Sequence, residues 1–345
     1  MDCLWHGFDE IIDTRSPKEY TEDCIPGAVN LPVLSDDERA LVGTIYKQSP
    51  FAARRRGAGL LAANLAAHLQ MRLAERPPQW RPLVYCWRGG QRSGAMVDVL
   101  RRIGWPAEQL TGGYKYYRRA VMEGLAEMTP CKRWVVLAGK TGVGKTRLLQ
   151  ALQELGGAVL DLEALANHRG SVFGGRGAQP SQRKFESELF AALCALPPDQ
   201  PIFIEAESRK IGVLHMPQPL LSAMRAAPLI TVEAALSERV AQIIDEYHAM
   251  GEDDVFALAM ASLSAYTGRR RLEQWRQWQQ EQAWESLVTD LLVSFYDVGY
   301  AKSLAANYDE AAVCVRVKPT DADSIRATAQ YILAQSAAVF ERIKN

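Results

Sequence analysis

Two stretches of this chain combine residue types that act on anions. The first is Cys86-Trp87-Arg88-Gly89-Gly90-Gln91-Arg92-Ser93, behind the apolar run Leu83-Val84-Tyr85. The second is Gly139-Lys140-Thr141-Gly142-Val143-Gly144-Lys145-Thr146, behind Trp134-Val135-Val136-Leu137-Ala138. Each reads as strand, glycine-bearing loop, helix. A free thiol, with a pKa near ~8.5, is a weak nucleophile at neutral pH. A strand-to-helix loop corrects this, because successive backbone N–H groups and the helix N-terminus surround the sulfur with positive potential. Gly89-Gly90 lets the backbone curl, Arg88 and Arg92 add full charges, and Ser93 can cap the helix. A lone cysteine is most often an inert buried thiol. Here the glycines, the arginines and the setting favour a catalytic Cys86, with Arg88 and Arg92 beside it.

The second stretch satisfies G-x-x-x-x-G-K-[ST] in full. Backbone N–H groups freed by Gly139, Gly142 and Gly144 are expected to ring a phosphate, with Lys145 neutralising it and Thr146 able to hold Mg²⁺. The pattern does not name the ligand, since any diphosphate fits. Asp161, Glu205 and Glu207 fall at strand ends, where a metal-directed carboxylate belongs; a solvated loop acid is an equal reading for each. His168 and Arg169, in a glycine-rich loop, and Arg209, after the acidic strand end, are further candidates for the same ligand. A lone histidine is more often structural. The sequence gives no certain metal ligands, and no tightly bound cofactor is expected.

The elements that must position these loops alternate in type. Residues 9–15, 25–32 and 83–85 read as strands, 51–76 and 93–103 as helices, and 110–114 as a strand end and turn. That alternation over 5–115 predicts a small α/β domain with a mostly parallel sheet, assigned to residues 1–125. After a connecting helix at 116–132, a second α/β unit begins. Its strands are expected at 134–138, 158–162, 201–207, 229–232 and 312–317. Its helices are expected at 146–155, 182–196, through most of 235–296, and at 321–343. It is assigned to 131–345, a P-loop domain with a helical extension; 167–180 reads as a loop. A length of 345 residues suits two such domains.

Formal net charge is zero, so no global basic field argues for a polyanionic partner. Local clusters do exist, and Arg54-Arg55-Arg56 and Arg269-Arg270-Arg271 are the candidates for contact with RNA. Solvated faces are the bland alternative. Trp275 and Trp278 share one helical face, where core packing is favoured over base stacking. The six cysteines contain no Cys-x-x-Cys pair, which favours neither a disulfide framework nor zinc. No apolar run approaches membrane-span length, and a reducing, cytoplasmic setting is expected.

The Cys86 loop, residues Asp13 to Tyr20, Ile25-Pro26-Gly27-Ala28-Val29-Asn30-Leu31-Pro32 and Leu110-Thr111-Gly112-Gly113 together resemble the rhodanese family. In that family the loop cysteine carries a persulfide. The common rhodanese loop has four residues between Cys and Arg, whereas this one has five, Trp87 to Gln91. The wider loop suits a bulkier acceptor atom or a phosphate-like group. It also matches the Cys-x5-Arg count of protein phosphatases, although Tyr85 stands where those usually carry His.

A rhodanese-like half followed by a P-loop half is similar to the tRNA 2-selenouridine synthase family. The likeness extends through Val42 to Gln48, Asn167 to Gly174 and Glu205 to Gly212. It reaches Tyr296-Asp297-Val298-Gly299-Tyr300, with Val298 where Pro is expected. The resemblance implies replacement of sulfur by selenium on a wobble 2-thiouridine, with tRNA as partner and selenophosphate as donor. It also implies an S-geranyl-2-thiouridine intermediate made from geranyl diphosphate, and an enzyme that supplies selenophosphate as a further partner. On that reading Lys145 and Thr146 grip the diphosphate. Cys86 takes selenium as a perselenide, and Arg88 and Arg92 bind the phosphate released. Two other readings stay open at this point: an ATP-dependent tRNA sulfurtransferase, and an RNA-associated nucleotide-binding protein with an inert Cys86. The sequence carries no signature of oligomeric state.

Overall fold

Strands made of unbroken apolar runs need cover on both faces, which is the pattern of a parallel sheet flanked by helices. Leu83-Val84-Tyr85 and Val135-Val136-Leu137-Ala138 are such runs, and all seven residues are buried. The computed structural model describes residues 5, 7–168, 177–248, 263, 267–308 and 311–342. It places both runs in parallel sheets, in two compact units. One unit holds residues 1–125 and 180–195, the other 126–179 and 196–345.

The first unit contains strands β1 (Glu10–Asp13), β2 (Val29–Asn30), β3 (Pro82–Tyr85) and β4 (Glu108–Gln109), ordered β2-β1-β3-β4 and all parallel. The chain runs outward to β2 on one side of β1, then to β4 on the other side of β3. A crevice therefore opens at the carboxyl ends of β1 and β3. The core joins Ile12 and Val84 of the sheet to Leu65 of the helix Pro50–Met71 and to Met96, Val97 and Leu100 of the helix Gln91–Ile103.

The helix Gln182–Ala195 packs on this first unit, although the sequence reading placed it with the second. Phe190 lies where a side chain at Gly124 would be, Arg118 pairs with Glu186, and Ser187 donates to Asp23 at 3.1 Å. The 3.6-residue periodicity of its apolar face reports that the helix is buried, not which partner buries it.

The second unit adds β5 (Arg133–Ala138), β6 (Ala158–Leu160), β7 (Pro201–Glu205), a two-stranded hairpin of β8 (Lys210–Ile211) with β9 (Leu214–His215), β10 (Leu229–Glu233) and β11 (Val313–Arg316). The main sheet runs β11-β10-β5-β7-β6, all parallel. Its connections reverse direction around β5, so the loop after β5 sits at the switch point. The helices Lys145–Glu154 and Ala322–Arg342 pack together over one face, sharing a core of Leu148, Leu152, Ile325 and Ala329 with Phe203 and Val232 of the sheet. The helical extension comprises Leu236–His248, Arg269–Gln280, Trp284–Leu291 and Asp297–Asn307, joined before the last by a single π turn at Leu292–Tyr296.

Several expected elements differ. The strand expected over 25–32 shrinks to Val29–Asn30, because Pro26 lacks a ladder donor and Gly27 turns the chain at φ +77°. The strand end expected at 110–114 is a helix start, since the helix Gly113–Met128 begins there. Helices at Asp36–Gln48 and Gln218–Arg225, and the short hairpin, were not anticipated. Trp275 is a core residue: it is fully buried and its indole donates to Asp290 at 2.7 Å.

Candidate functional site

Cys86 follows β3 at the crevice of the first sheet. Its sulfur is buried and accepts two hydrogen bonds, from the Gly90 N–H at 3.3 Å and from the Ser93 hydroxyl at 3.1 Å. Gln109 holds that hydroxyl in turn, donating to Ser93 Oγ at 2.9 Å and to the Gly90 carbonyl at 3.0 Å. Burial pushes the thiol pKa up. The Ser93 hydroxyl and the N–H groups of Ser93, Gly90 and Arg88 outweigh that penalty, leaving the thiol below its ordinary value. The result is a sulfur inside a ring of donors that favour its thiolate form.

The loop is braced from behind. Tyr114 N–H bonds the Cys86 carbonyl at 2.8 Å, and Lys115 N–H bonds the Trp87 carbonyl at 3.0 Å. Gly113 makes this approach feasible, because at φ +57° its Cβ would run into the Cys86 carbonyl and lie 2.5 Å from the Gly89 nitrogen. Beneath the loop, the Tyr114 hydroxyl donates to Asp23 at 2.6 Å, and Arg15 stacks 4.0 Å over the Tyr114 ring while pairing with Asp13. Burial pushes the Asp23 carboxyl up, and the bonds from Tyr114 and Ser187 oppose it.

The arginines do not touch the sulfur with their side chains. Arg88 is exposed and turns only its N–H toward the thiol. Arg92 is held at the rim by Glu19, Nη1 to Oε2 at 2.9 Å. The same carboxylate pairs with Arg39 at 2.8 Å. Burial raises the Glu19 carboxyl, while Arg92 leads the interactions that bring it below the usual carboxylate range. Gln109 had no motif to mark it, and Glu19, although inside the Asp13 to Tyr20 stretch, had none that tied it to Arg92.

The loop after β5 has a different character. Gly144 caps the helix Lys145–Glu154 at φ +79°, and Gly142 turns at φ +84°. Both conformations disfavour side chains. Lys145 folds back onto its own loop, Nζ to the Gly139 carbonyl at 2.8 Å. Arg239 clamps the loop from outside, donating to the Thr141 carbonyl at 2.8 Å and pairing with Asp297 at 2.6 Å. Lys140 joins Asp297 at 3.2 Å.

A cleft of about 710 Å³ surrounds this loop, lined by Gly142, Gly144, Lys145, Thr146, Glu207 and His168 among others. Glu163, which the sequence reading passed over, also lines it; its carboxylate accepts from the Thr146 hydroxyl at 3.3 Å. Glu205 lies beneath, fully buried, with Oε1 accepting the Glu163 N–H at 2.9 Å and Oε2 without a partner. Burial, then the neighbouring Glu163 and Asp161, push Glu205 well above the usual carboxylate range. Glu207 is pushed up to about 7 by burial and by Glu163, against the pull of Lys145.

Asp161 is spent as a helix cap, accepting from Ala164 N–H at 2.8 Å. Burial lowers His168 toward the neutral form. Arg209 is exposed and does not line the cleft; Arg169 lies outside the described residues. Among the described residues, no group of three or more His, Cys, Asp or Glu side chains is arranged to hold a metal. Arg54, Arg55 and Arg56 are exposed on the helix Pro50–Met71, and Arg269, Arg270 and Arg271 are exposed on the first turn of the helix Arg269–Gln280. No helix among the described residues is long and apolar enough to cross a membrane.

A second cleft of about 760 Å³ adjoins the first and shares Gly139 and Tyr300 with it. Its lining includes Leu229, Val232, Leu236, Ala301 and Leu304. The cleft around the loop after β5 therefore adjoins one with an apolar wall, whose lining also carries Lys140, Glu233, Arg239 and Asp297.

Residues 2–120 match the family described as rhodanese-like domain, and residues 132–274 match the tRNA 2-selenouridine synthase AAA domain. The chain is similar to the tRNA 2-selenouridine synthase of Hahella chejuensis, 37% identical over 84% of this chain and 72% of that protein. It is likewise similar to those of Nitrosomonas europaea, 39% identical over 69% of this chain and 63% of that one, and Aeromonas salmonicida, 39% identical over 69% and 64%. With the latter two, the match spans less than two thirds of the relative's length.

Proposed function

This chain belongs to the tRNA 2-selenouridine synthase family, and we propose that it exchanges the sulfur of a wobble 2-thiouridine in tRNA for selenium, one step at each loop. The observation that carries the assignment of the loop after β5 is the apolar wall, Leu229, Val232, Leu236, Ala301 and Leu304, of the mixed cleft that adjoins it. A diphosphate with a hydrocarbon tail matches that pairing; geranyl diphosphate is such a molecule.

In the first step the thiocarbonyl sulfur attacks the carbon bearing the diphosphate. A C–S bond forms, the C–O bond breaks, and diphosphate leaves with the electron pair. Lys145, released from the Gly139 carbonyl, and the loop N–H groups take up the departing charge. Thr146 and Glu163 are the residues that would hold Mg²⁺ against the same diphosphate, where it would add further neutralisation.

Alkylation turns a poor leaving group into a good one. Selenophosphate then attacks C2 through selenium, and geranylthiolate leaves and takes a proton. Selenium in selenophosphate is already at the selenide level, so a perselenide on Cys86 with phosphate as co-product does not balance in electrons. Attack of the Cys86 thiolate on phosphorus does: an S–P bond forms, the P–Se bond breaks, and water then releases phosphate from the cysteine. The five-residue spacing between Cys86 and Arg92 suits a phosphoryl group, and the Ser93 hydroxyl at 3.1 Å can stabilise the departing thiolate. Arg88 and Arg92 stand at the rim for the phosphate oxygens, and the exposed Arg54, Arg55 and Arg56 remain candidates for the tRNA backbone.

The apolar wall is tested by thermal shift of the full chain with diphosphate, geranyl diphosphate and ATP. Geranyl diphosphate is expected to bind at least about tenfold tighter than diphosphate, because burying the tail is favourable by ~0.8 kcal/mol per CH₂ at most. Leu304→Asn is expected to erase most of that advantage. ATP binding more tightly than geranyl diphosphate would instead support the ATP-dependent reading.

A further inference from the structure

The helix Arg269–Gln280 begins with three consecutive arginines behind Gly268, which supplies no side-chain cap. That end of a helix is already electropositive, with N–H groups that lack intrahelical partners, so cations there cost stability. A placement that opposes local stability points to a ligand, and the ligand favoured at a helix N-terminus is an anion.

The surroundings supply a site. The three arginines line an open groove with Gln274, Trp278 and Phe295. Asp290, the carboxylate in its described lining, is already committed. It accepts from the Trp275 indole at 2.7 Å and the Ser294 hydroxyl at 2.8 Å, and faces Arg271 at 3.5 Å. Arg269 pairs with Glu273 at 3.1 Å on the open surface. Arg270 is exposed and has no ion pair among the described residues. Among the described residues, Arg270 therefore leaves the pocket one cation without an acidic partner.

Arg270, Gln274 and Trp278 are spaced four residues apart, so they stand in one row along the helix. Guanidinium, carboxamide and indole follow one another in that row. A nucleotide offers a partner for each: a phosphate for the guanidinium, a base edge for the carboxamide and a base face for the indole. Trp278 is half-buried against the cluster around Trp275, which fixes its ring. Phe295 lines both this pocket and the cleft of the phosphate loop. A nucleotide held here lies next to the Lys145 site.

We infer that this pocket binds a nucleotide of a single-stranded segment of the RNA substrate, its phosphate at Arg270 and Arg271 and its base against Trp278. The inference rests on the proposed RNA substrate. An acidic peptide would use the arginines, but would gain little from an indole face and a carboxamide in the same row.

The test is fluorescence anisotropy of the full chain with intact tRNA and with a labelled single-stranded uridine-rich RNA pentamer, across a salt series. Arg270→Ala is expected to weaken binding about fivefold and to reduce the slope of log K against log salt by about one. Trp278→Ala is expected to weaken it about tenfold with little change in slope, and Trp278→Phe to restore most of the loss. Arg326→Ala, an equal loss of charge at an exposed site on another helix, is expected to leave both readouts unchanged. Unfolding midpoints of each variant separate lost binding from lost folding, and exposed Arg270 tests the pocket even if Trp278→Ala fails to fold. Wild-type tRNA affinity and slope in both Arg270→Ala and Trp278→Phe, with Trp278→Ala either unchanged or unfolded, would overturn the site while leaving the RNA reading intact. Absence of RNA binding by the wild-type chain would overturn both. An oligoglutamate peptide that displaces the pentamer at equal concentration, independently of Trp278, would overturn the nucleotide in favour of an acidic protein segment.

Discussion

The Cys86 loop and the Lys145 loop share a plan: an apolar central strand, a glycine-bearing turn, and a helix start at the switch point of a parallel sheet. They differ in which way their donors face. Around Cys86 the Gly90 N–H and the Ser93 hydroxyl are turned inward on an atom the chain itself supplies. Around Lys145 the lysine itself is turned back onto a loop carbonyl. On the proposed reading, the first arrangement tunes a nucleophile and the second receives a leaving group. Similar backbones would thus serve opposite ends of the proposed displacement, with the side chains deciding which.

The comparison can be broken at either loop. Lys145→Ala should have the largest effect, lowering affinity for diphosphate and geranyl diphosphate by about a hundredfold in calorimetric titration, since it removes a charged partner at a partly buried site. The Cys86 thiol should keep its alkylation rate in that variant. Gly113→Ala should come next. With no room beside the Cys86 carbonyl, it should destabilise the first unit by about 2–3 kcal/mol in urea titration. Diphosphate binding by the second unit should survive it.

Ser93→Ala sharpens the contrast with a smaller change. Loss of the 3.1 Å hydrogen bond should raise the thiol pKa and slow iodoacetamide alkylation at neutral pH about three- to tenfold, with the rate recovering at higher pH. Glu207→Gln should have the mildest effect, visible only against pH. Glu207 is neutral below about 7 and ionised above it, so diphosphate affinity should fall as pH rises through that value. The Gln variant should lack this step once the ligand's own titration is subtracted. Stability follows the same sign. The folded value lies above the unfolded one, near ~4.3, so the contribution is fully present below ~4.3 and is lost as pH rises to about 7.

Both loops were legible in the sequence because their chemistry is local: glycines, cations and nucleophile fall within eight consecutive residues. The alternation of strands and helices gave the two parallel sheets for the same reason. What bears on the loops from a distance was not legible. Gln109 reaches Ser93, Glu19 holds Arg92, and Arg239 with Asp297 clamps Thr141, all across gaps that no periodicity encodes. Glu163 was missed because it sits in a four-residue helix that Asp161 caps, and the strand-end rule directed attention to Asp161. The helix Asp36–Gln48 was missed although Ser35 and Glu38 form a capping box, a signal present in the letters. Most instructive is the helix Gln182–Ala195, whose apolar face was plain and whose partner, the first unit, was not.

The most direct test of a division of labour between the loops is mass spectrometry of nucleosides from thiolated tRNA incubated with the full chain, geranyl diphosphate and selenophosphate. The wild-type chain should yield 2-selenouridine. Lys145→Ala should leave 2-thiouridine untouched, yet complete selenation when given tRNA that is already geranylated. Cys86→Ala should consume the geranylated base but stop before 2-selenouridine, with the selenophosphoryl adduct in its place. Full selenation by Cys86→Ala, or geranylation by Lys145→Ala at the wild-type rate, would contradict the account.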